Sequence, residues 1–220
     1  MRASGVLLPV FSLPSPHGIG CFSKEAYEWV DFLKLAGQQY WQILPLGPTS
    51  YGDSPYQSFS TYAGNPYFID LEELVEAGFL TRKEVEACDC GKAARDIDYG
   101  KLYENRFKLL RKAYGRANVG EDQEFEAYRR KNAWWLDDYA LFMALKDAND
   151  GQAWSKWDKD LRLRKKEAME AAKEQYAEEI RFYKMLQYLF YKQWNELKAY
   201  ANEEGIEIIG DVPIYVAGDS

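Results

Sequence analysis

The sequence predicts an α/β fold in which three parallel strands are interrupted by a large, mostly helical insertion. Two apolar runs of strand length, at 4–15 and 40–46, flank a segment whose apolar residues recur at helical spacing. Helical patterns then continue until a third apolar run, "IEIIGDVPIYV", begins at Ile206. Strand, helix and strand within about 40 residues indicate a βαβ unit, whose two strands are parallel.

The first elements follow from short local patterns. Residues 4–15 contain "GVLLPVF" and end in a Pro, Ser and Gly stretch, so we expect a buried first strand there. The first helix is predicted to begin after Ser23, a typical N-cap residue, and to end at Gly37. "YWQILPL" (40–46) predicts a second buried strand. The helix face predicted to pack inward comprises Ala26, Trp29, Val30 and Leu33.

The segment 47–71, "GPTSYGDSPYQSFSTYAGNPYFIDL", is predicted to be a long loop. Pro48, Pro55 and Pro66 each remove a backbone donor, and the glycines between them disfavour a helix. The loop follows the carboxyl end of a parallel strand, which is where α/β proteins bind their ligands. Because long ordered loops are usually functional, we interpret this segment as a binding loop.

The rest of the chain is predicted to be helical over about 81–88, 99–117, 121–147 and 165–203. "AWWLDDYALFMAL" is apolar on nearly all sides, so Trp134 and Trp135 are expected in the core, as is Trp194. Only the second half of 165–203 has a core-facing pattern, and the roles of Trp154 and Trp157 stay open. Gly205 ends the last helix, and the third strand follows.

These elements divide the chain into three predicted regions. Residues 1–50 form the first strand, the first helix and the second strand. Residues 51–160 form the substrate-binding loop and the helical insertion, and residues 161–220 form a further helix and the third strand. Because a (β/α)8 barrel needs eight strands and typically about 250 residues, three strands are typical of the N-terminal portion of such a barrel.

Composition excludes several classes of protein. The net charge is −7, and the basic residues alternate with acidic ones, so we expect no nucleic-acid partner. Hydrophobic residues make up 47% and charged residues 29%, which fits neither a disordered nor a membrane protein. We expect no export signal, because Pro9 interrupts the first apolar run and no cleavage site follows it.

Cysteine and histidine usage predicts no metal site. The chain has three cysteines, Cys21, Cys88 and Cys90, and their odd number favours reduced thiols in a cytoplasm. Cys88, Cys90 and the single His17 do not supply the four spaced donors of a structural zinc site. His17 is interpreted as a turn residue, with a pocket-lining role as the alternative.

The aromatic content indicates a class of ligand. Aromatic residues make up 16% of the chain, including 17 Tyr and 7 Trp. Amphipathic Tyr and Trp side chains stack on the apolar faces of sugar rings and also hydrogen-bond to hydroxyl groups. We expect most of these aromatics to fill the core and a minority to contact a sugar.

Four segments carry a family resemblance: "LPSPHGIG", "YWQILPLGPTSYGDSPYQSFSTYAGNPYFIDL", "AWWLDDYALFMALK" and "IIGDVPIYVAGDS". Together they resemble the N-terminal part of the 4-α-glucanotransferases, the amylomaltases or disproportionating enzymes of glycoside hydrolase family 77 in the α-amylase clan. The resemblance runs from about residue 5 to residue 220. It implies a cytoplasmic enzyme that transfers part of an α-1,4-glucan to another glucan or to glucose, without a cofactor. Its implied partners are maltooligosaccharides and amylose, not nucleic acid or a membrane.

The resemblance also implies site residues. Tyr56 would stack against the sugar next to the scissile bond, and Ser54 would shape the same subsite. Asp211 would lie close to the reacting sugar. Tyr51 and Tyr103 would belong to a second glucan-binding groove. The alternatives are that Tyr56 pins its own turn and that Asp211 caps a turn at the end of a strand.

No catalytic residue is assigned within the 220 residues. Retaining transfer needs two carboxyl groups about 5–5.5 Å apart, and the resemblance places them beyond Ser220. Asp211 and Asp219 would lie roughly 26 Å apart in an extended chain, so they do not replace the pair. We therefore expect the isolated chain to be inactive. The alternative functions are a non-catalytic glucan-binding fragment and a hydrolase of the same clan.

Overall fold

The computed structural model describes residues 2–49, 52–91 and 96–219. These residues divide into two units. The first unit comprises Met1–Leu46, Gly64–Asn118 and Leu189–Val212, and the second comprises Gly47–Ala63, Val119–Tyr188 and Pro213–Ser220.

The elements are numbered in chain order. The strands are β1 (Gly5–Leu7), β2 (Tyr40–Gln42), β3 (Gln57–Ser58), β4 (Glu207–Ile209) and β5 (Tyr215–Val216). The α-helices are α1 (Lys24–Leu35), α2 (Leu71–Glu76), α3 (Arg82–Glu86), α4 (Tyr99–Lys101), α5 (Phe107–Arg116), α6 (Gln123–Ala148), α7 (Lys159–Arg162), α8 (Lys166–Gln175) and α9 (Ala177–Glu203). A π-helical turn, Leu102–Arg106, joins α4 to α5.

A parallel sheet in the order β1-β2-β4 lies in the first unit. Trp41 of β2 is opposite Val6 of β1 on one side and Ile208 of β4 on the other. Helix α1 connects β1 to β2, as predicted for the βαβ unit. It begins after Ser23, buries Ala26, Val30 and Leu33, and is followed by Gly37 with φ +68°. The parallel strands and α1 were therefore predicted correctly.

Burial differs between the strands of this sheet. The Trp41 side chain is fully buried, and its Nε1 donates a hydrogen bond to the Leu8 carbonyl at 2.8 Å. Leu7 is 53% exposed and Ile209 is 43% exposed. The prediction of a buried first strand is wrong, because Gly5 and Leu7 of β1 are exposed. Beyond Pro9, the apolar run turns into a 3₁₀ helix that buries Val10 instead.

The helices predicted over 81–88, 99–117, 121–147 and 165–203 are present, whereas α2 and α7 were not predicted. The predicted helix over 165–203 is divided at Tyr176, which separates α8 from α9. As predicted, its second half faces the core, with Phe182, Met185 and Leu186 all buried. Trp134 was expected in the core but is 67% exposed. It shares a face of α6 with Arg130 and Asp138, four residues on either side, and these charged residues are also exposed.

The C-terminal half of α9 fixes the segment that follows the predicted binding loop. The Gln193 side chain accepts a hydrogen bond from Asp70 N at 2.7 Å and donates one to Glu73 Oε2 at 2.8 Å. Phe190 packs edge-on against Phe22, with the ring centroids 5.1 Å apart. A Cβ on Gly64 would lie 2.2 Å from the Phe190 ring, so only glycine permits this approach.

Within the described part of the chain, no helix combines the length and the apolar character needed to cross a membrane.

We predict that Glu73 makes stability depend on pH. Burial raises the pKa of its carboxyl group to about 7, although the hydrogen bond from Gln193 opposes this shift. The carboxylates of Glu196 and Asp70 raise the pKa further, and Lys192 lowers it. A raised pKa means that the folded state holds the proton more tightly than the unfolded state. The free energy of unfolding should therefore fall as the pH rises from about 4.5 to about 7.

Replacing Glu73 with Gln removes this titration. Because the side chain is partly exposed, we expect a gain of about 1 kcal/mol in the free energy of unfolding at pH 8 and almost none at pH 4.5. Urea unfolding at the two pH values measures this gain in the free energy of unfolding. The control is Glu76→Gln, an exposed residue of the same helix. An equal gain at both pH values would show that the buried charge is not the cause.

Candidate functional site

Ser54 and Tyr56, two of the predicted sugar-binding residues, lie together in one turn of the second unit. Gln57 N donates a hydrogen bond to Ser54 O at 3.1 Å, and Pro55 occupies the second position of this turn. Tyr56 N lies 3.3 Å from Ser54 Oγ, which accepts its hydrogen bond. The turn is closed through Ser54 and the Tyr56 backbone. The ring and the Ser54 side chain are half-buried.

Two further serines order the rest of the loop. Ser58 Oγ donates to Ser60 O at 2.9 Å, and Ser60 Oγ accepts from the backbone N–H groups of Tyr62 and Ala63, each at 3.2 Å. A Cβ on Gly47 would lie 2.6 Å from Ser58 Oγ, so the start of the loop passes directly over this hydroxyl. The serines thus satisfy backbone groups that neither helix nor sheet would pair.

A two-stranded parallel sheet joins the loop to the last described residues. Gln57 of β3 pairs with Tyr215 of β5, and Ser58 pairs with Val216. Thr49 forms an antiparallel bridge to the same Ser58. The residues directly after Tyr56 are therefore held on two sides by backbone pairing.

Lys146 of α6 was missed by sequence reasoning and organises this loop. Its Nζ donates to Asp219 Oδ2 at 2.7 Å and lies 4.8 Å from the centroid of the Phe59 ring. The Lys146 side chain is only 10% exposed. A lysine near the end of a helix predicts a solvent-exposed cap, so the burial of Lys146 was not predictable from the local pattern. Asp219, which was not assigned as a catalytic residue, is engaged in this ion pair.

The other predicted site residues are placed as follows. Asp211 lies two residues after β4 in the first unit, exposed, with its Oδ1 accepting a hydrogen bond from Val212 N at 2.7 Å. Its predicted position near the end of the third strand is correct, and its contact with a sugar stays a prediction. Tyr103 lies on the π-helical turn of the first unit and is 69% exposed. Tyr51 lies outside the described residues.

His17 is held in its turn by several contacts. Its Nε2 lies 3.0 Å from Glu72 Oε1, and its backbone N donates to Ser15 Oγ at 3.0 Å. The buried Arg106 donates to His17 O at 3.2 Å and to Ile69 O at 2.6 Å. These contacts favour the interpretation of His17 as a turn residue.

Exposed aromatic side chains near the loop were also missed. Trp134 lies edge-on to Tyr62, with the ring centroids 4.7 Å apart, and Tyr62 is itself 50% exposed. Trp135 is buried as predicted. Of the tryptophans whose role was open, Trp157 packs in a core cluster with Leu141, and Trp154 is partly exposed. The charged residues that flank Trp134 at helical spacing could have indicated that its side chain is exposed.

The chemistry of the loop is that of a binding surface. It presents phenol rings and hydroxyl groups, and partial burial raises the pKa of the Asp53 carboxyl group, which directly precedes the turn. Among residues 2–49, 52–91 and 96–219, no three His, Cys, Asp or Glu side chains are arranged to hold a metal ion. Rings and neutral hydrogen-bonding groups on an ordered loop suit a neutral, hydroxyl-rich ligand.

Comparisons with known proteins give a consistent result. Residues 8–220 match the family model described as 4-alpha-glucanotransferase. The 4-alpha-glucanotransferase of Clostridium butyricum is 51% identical over 211 residues, which cover 96% of this chain and 43% of that protein. That of Thermus thermophilus is 49% identical over 223 residues, covering 100% of this chain and 44% of that protein. The chain spans less than half the length of the curated relatives it matches.

A solved structure is similar over the whole chain. The amylomaltase from Streptococcus agalactiae in complex with acarbose superposes with a TM-score of 0.94 at 43% sequence identity, covering 100% of this chain and 45% of that one. Together with the parallel order β1-β2-β4, this likeness confirms the predicted fold class. The fold is the N-terminal part of a (β/α)8 barrel with a helical insertion after the second strand.

We predict that Lys146→Met destabilises the second unit. The change removes the partner of the partly buried Asp219 carboxylate and the cation over Phe59. We expect the free energy of unfolding to fall by about 2 kcal/mol, measured by urea unfolding. Hydrogen exchange should also become faster at the amides of Tyr62 and Ala63.

The control is Arg164→Met, which breaks the pair of Arg164 with Asp138, where each side chain is 61% exposed. That variant should lose at most about 0.5 kcal/mol. Equal losses in the two variants would contradict an organising role for Lys146.

Proposed function

Because this chain belongs to the 4-alpha-glucanotransferase family, we propose that it supplies glucan-binding surface to an enzyme that transfers part of an α-1,4-glucan to another glucan or to glucose. The observation that carries this proposal is the family match over 8–220, in which the ordered loop with Ser54 and Tyr56 is included. The setting that we propose is cytoplasmic maltodextrin and glycogen metabolism, with maltooligosaccharides and amylose as substrates.

In the proposed reaction, the assigned residues bind and orient the sugar. The Tyr56 ring covers the apolar face of the sugar next to the scissile bond, on a turn that Ser54 holds in place. Asp211 accepts hydrogen bonds from hydroxyl groups of the reacting sugar. Preformed loops of this kind lower the entropic cost of binding, so more of the binding energy is available for orienting the substrate.

The bond-breaking steps need catalytic carboxyl groups, and the residues assigned above do not include them. Retention of configuration requires one carboxylate as the nucleophile and one carboxyl group as the acid, which then acts as the base. We propose that these groups lie on later strands of the complete barrel. The residues assigned here then determine which sugar occupies the site, while the carboxyl pair determines the rate of cleavage.

We also propose a second glucan-binding groove at Tyr103 and Tyr51. The support at Tyr103 is its 69% exposure on the π-helical turn, a type of distortion that is frequent at functional sites. A groove away from the reacting sugar would contact long chains that a trisaccharide cannot reach.

Incubating the complete protein with maltotriose tests the proposed reaction against its alternatives. Longer maltodextrins together with glucose indicate transfer. Short products alone indicate a hydrolase of the same clan, because water is then the acceptor. Binding of maltoheptaose without any new product indicates a non-catalytic glucan-binding protein.

For Tyr56, we predict a loss of transition-state binding. Stacking that buries about 60–80 Å² at about 25 cal/mol per Å² contributes roughly 1.5–2 kcal/mol. In the complete enzyme, Tyr56→Ala should therefore lower kcat/KM for maltotriose by about ten- to thirtyfold. Tyr56→Phe, which keeps the ring, should retain most of the activity, and circular dichroism should show both variants folded. An unchanged kcat/KM in Tyr56→Ala would remove this residue from the site.

The groove at Tyr103 gives a different expectation. Tyr103→Ala should raise KM for amylose by about threefold or more while leaving maltotriose kinetics within error, because stacking of one ring contributes about 1 kcal/mol. Tyr103→Phe serves as the control that keeps the ring. Equal effects on the two substrates would count against a separate groove.

A further inference from the structure

Cys88 and Cys90, between α3 and α4, lie in an arrangement that the proposed glucan chemistry does not use. Their Sγ atoms are 2.6 Å apart. Cys90 N donates a hydrogen bond to Cys88 O at 3.0 Å, which closes a three-residue γ-turn around Asp89. This turn shortens the distance between the two Cα atoms, and a disulfide needs that distance to be about 4.4–6.8 Å. Backbone and sulfur atoms therefore both favour a bond between the two residues.

The surrounding residues impose this geometry. Asp89 is fixed twice, since its carboxylate accepts from Lys101 Nζ at 2.7 Å and its carbonyl accepts from Asn105 Nδ2 at 2.9 Å. The other side of the turn packs against Gly18, where a Cβ would lie 1.8 Å from Cys90 O. The cysteine turn is thus anchored by side chains from the helix that follows and by backbone from a distant turn.

The two thiols differ in access. Cys90 is only 3% exposed, whereas Cys88 is half-buried. A reagent in solution therefore reaches Cys88 first, and Cys90 lies directly behind it. This is the order that thiol–disulfide exchange requires of an attacking thiol and a resolving thiol.

We propose that Cys88 and Cys90 form a reversible thiol–disulfide site that reacts with low-molecular-weight disulfides. The Cys88 thiolate attacks one sulfur of the disulfide RSSR, forms a mixed disulfide and releases one thiolate. Cys90 then loses its proton and attacks the Cys88 sulfur, which forms the Cys88–Cys90 bond and releases the second thiolate. The two cysteines lose two electrons and two protons, and RSSR becomes two RSH. This site is independent of glucan transfer.

The environment of the pair makes the exchange depend on pH. Burial raises the pKa of the Cys88 thiol to about 12, and the hydrogen bond with Cys90 and the charge of Asp89 raise it as well. The buried Arg106 of the π-helical turn opposes this shift, and Lys101 of α4 partly neutralises Asp89. Well below its pKa, the thiolate fraction grows about tenfold for each pH unit. The exchange is therefore slow at pH 7.5 and about tenfold faster at pH 8.5.

The test uses the complete reduced protein with oxidised glutathione as the probe. After incubation at pH 8.5, the protein is unfolded in urea at pH 6.5 so that buried thiols become accessible, free thiols are alkylated with N-ethylmaleimide, and the peptides are mapped by mass spectrometry. The expected product is a Cys88–Cys90 crosslink that dithiothreitol reverses and whose rate of formation falls about tenfold at pH 7.5. Full alkylation of both cysteines after incubation at pH 8.5 would overturn the proposal.

Single variants test the order of the steps. Cys90→Ser should stop at glutathione bound to Cys88, with Cys90→Ala as the alternative if the serine variant does not fold. Cys88→Ser should leave Cys90 unmodified, because Cys90 is buried. The control is Cys21→Ser, which should leave the crosslink unchanged, since Cys21 is fully buried elsewhere. Glutathione on Cys90 in the Cys88→Ser variant at the wild-type rate would contradict the assigned roles.

Discussion

The parallel pairing of β2 with both β1 and β4 is the constraint on which the first unit depends. Because the three strands run in the same direction, the chain leaves each of them at the same edge of the sheet. The connections must then return along a helix, as α1 does between β1 and β2. The fully buried Trp41, with its indole N–H paired to the Leu8 carbonyl, secures the middle strand without leaving a polar atom unsatisfied.

The second unit is ordered by different interactions. Among the described residues of the loop between Gly47 and Ala63, only two lie in a strand, yet the backbone N–H groups of Tyr56, Tyr62 and Ala63 are paired through the hydroxyl groups of Ser54 and Ser60. Lys146 adds a buried cation that holds Phe59 and Asp219. Hydrogen bonds of this kind lower the entropic cost of ordering a loop, which favours the binding of a ligand.

Sequence reasoning succeeded where a local pattern reports burial and failed where distant contacts decide. The face of α1 and the core half of α9 were predictable, because apolar residues recur there at helical spacing. Pro48, Pro55 and Pro66 made the loop that contains Ser54 and Tyr56 predictable as well. Burial of Lys146 was not predictable, because it depends on Phe59 and Asp219, which are remote in sequence. The exposure of Leu7 was not predictable either, because the apolar run does not show where the three-residue strand ends.

The π-helical turn Leu102–Arg106 has a consequence for how the family can vary. A π-turn contains one residue more than an α-turn, so it changes the helical phase between α4 and α5. With this phase, Tyr103 faces solvent, while Arg106 reaches inward to the His17 and Ile69 carbonyls. A relative that lacks the extra residue would have to rotate one of these side chains by about 100°. An insertion or deletion in this turn would therefore change the outer surface of the protein and its interior at the same time.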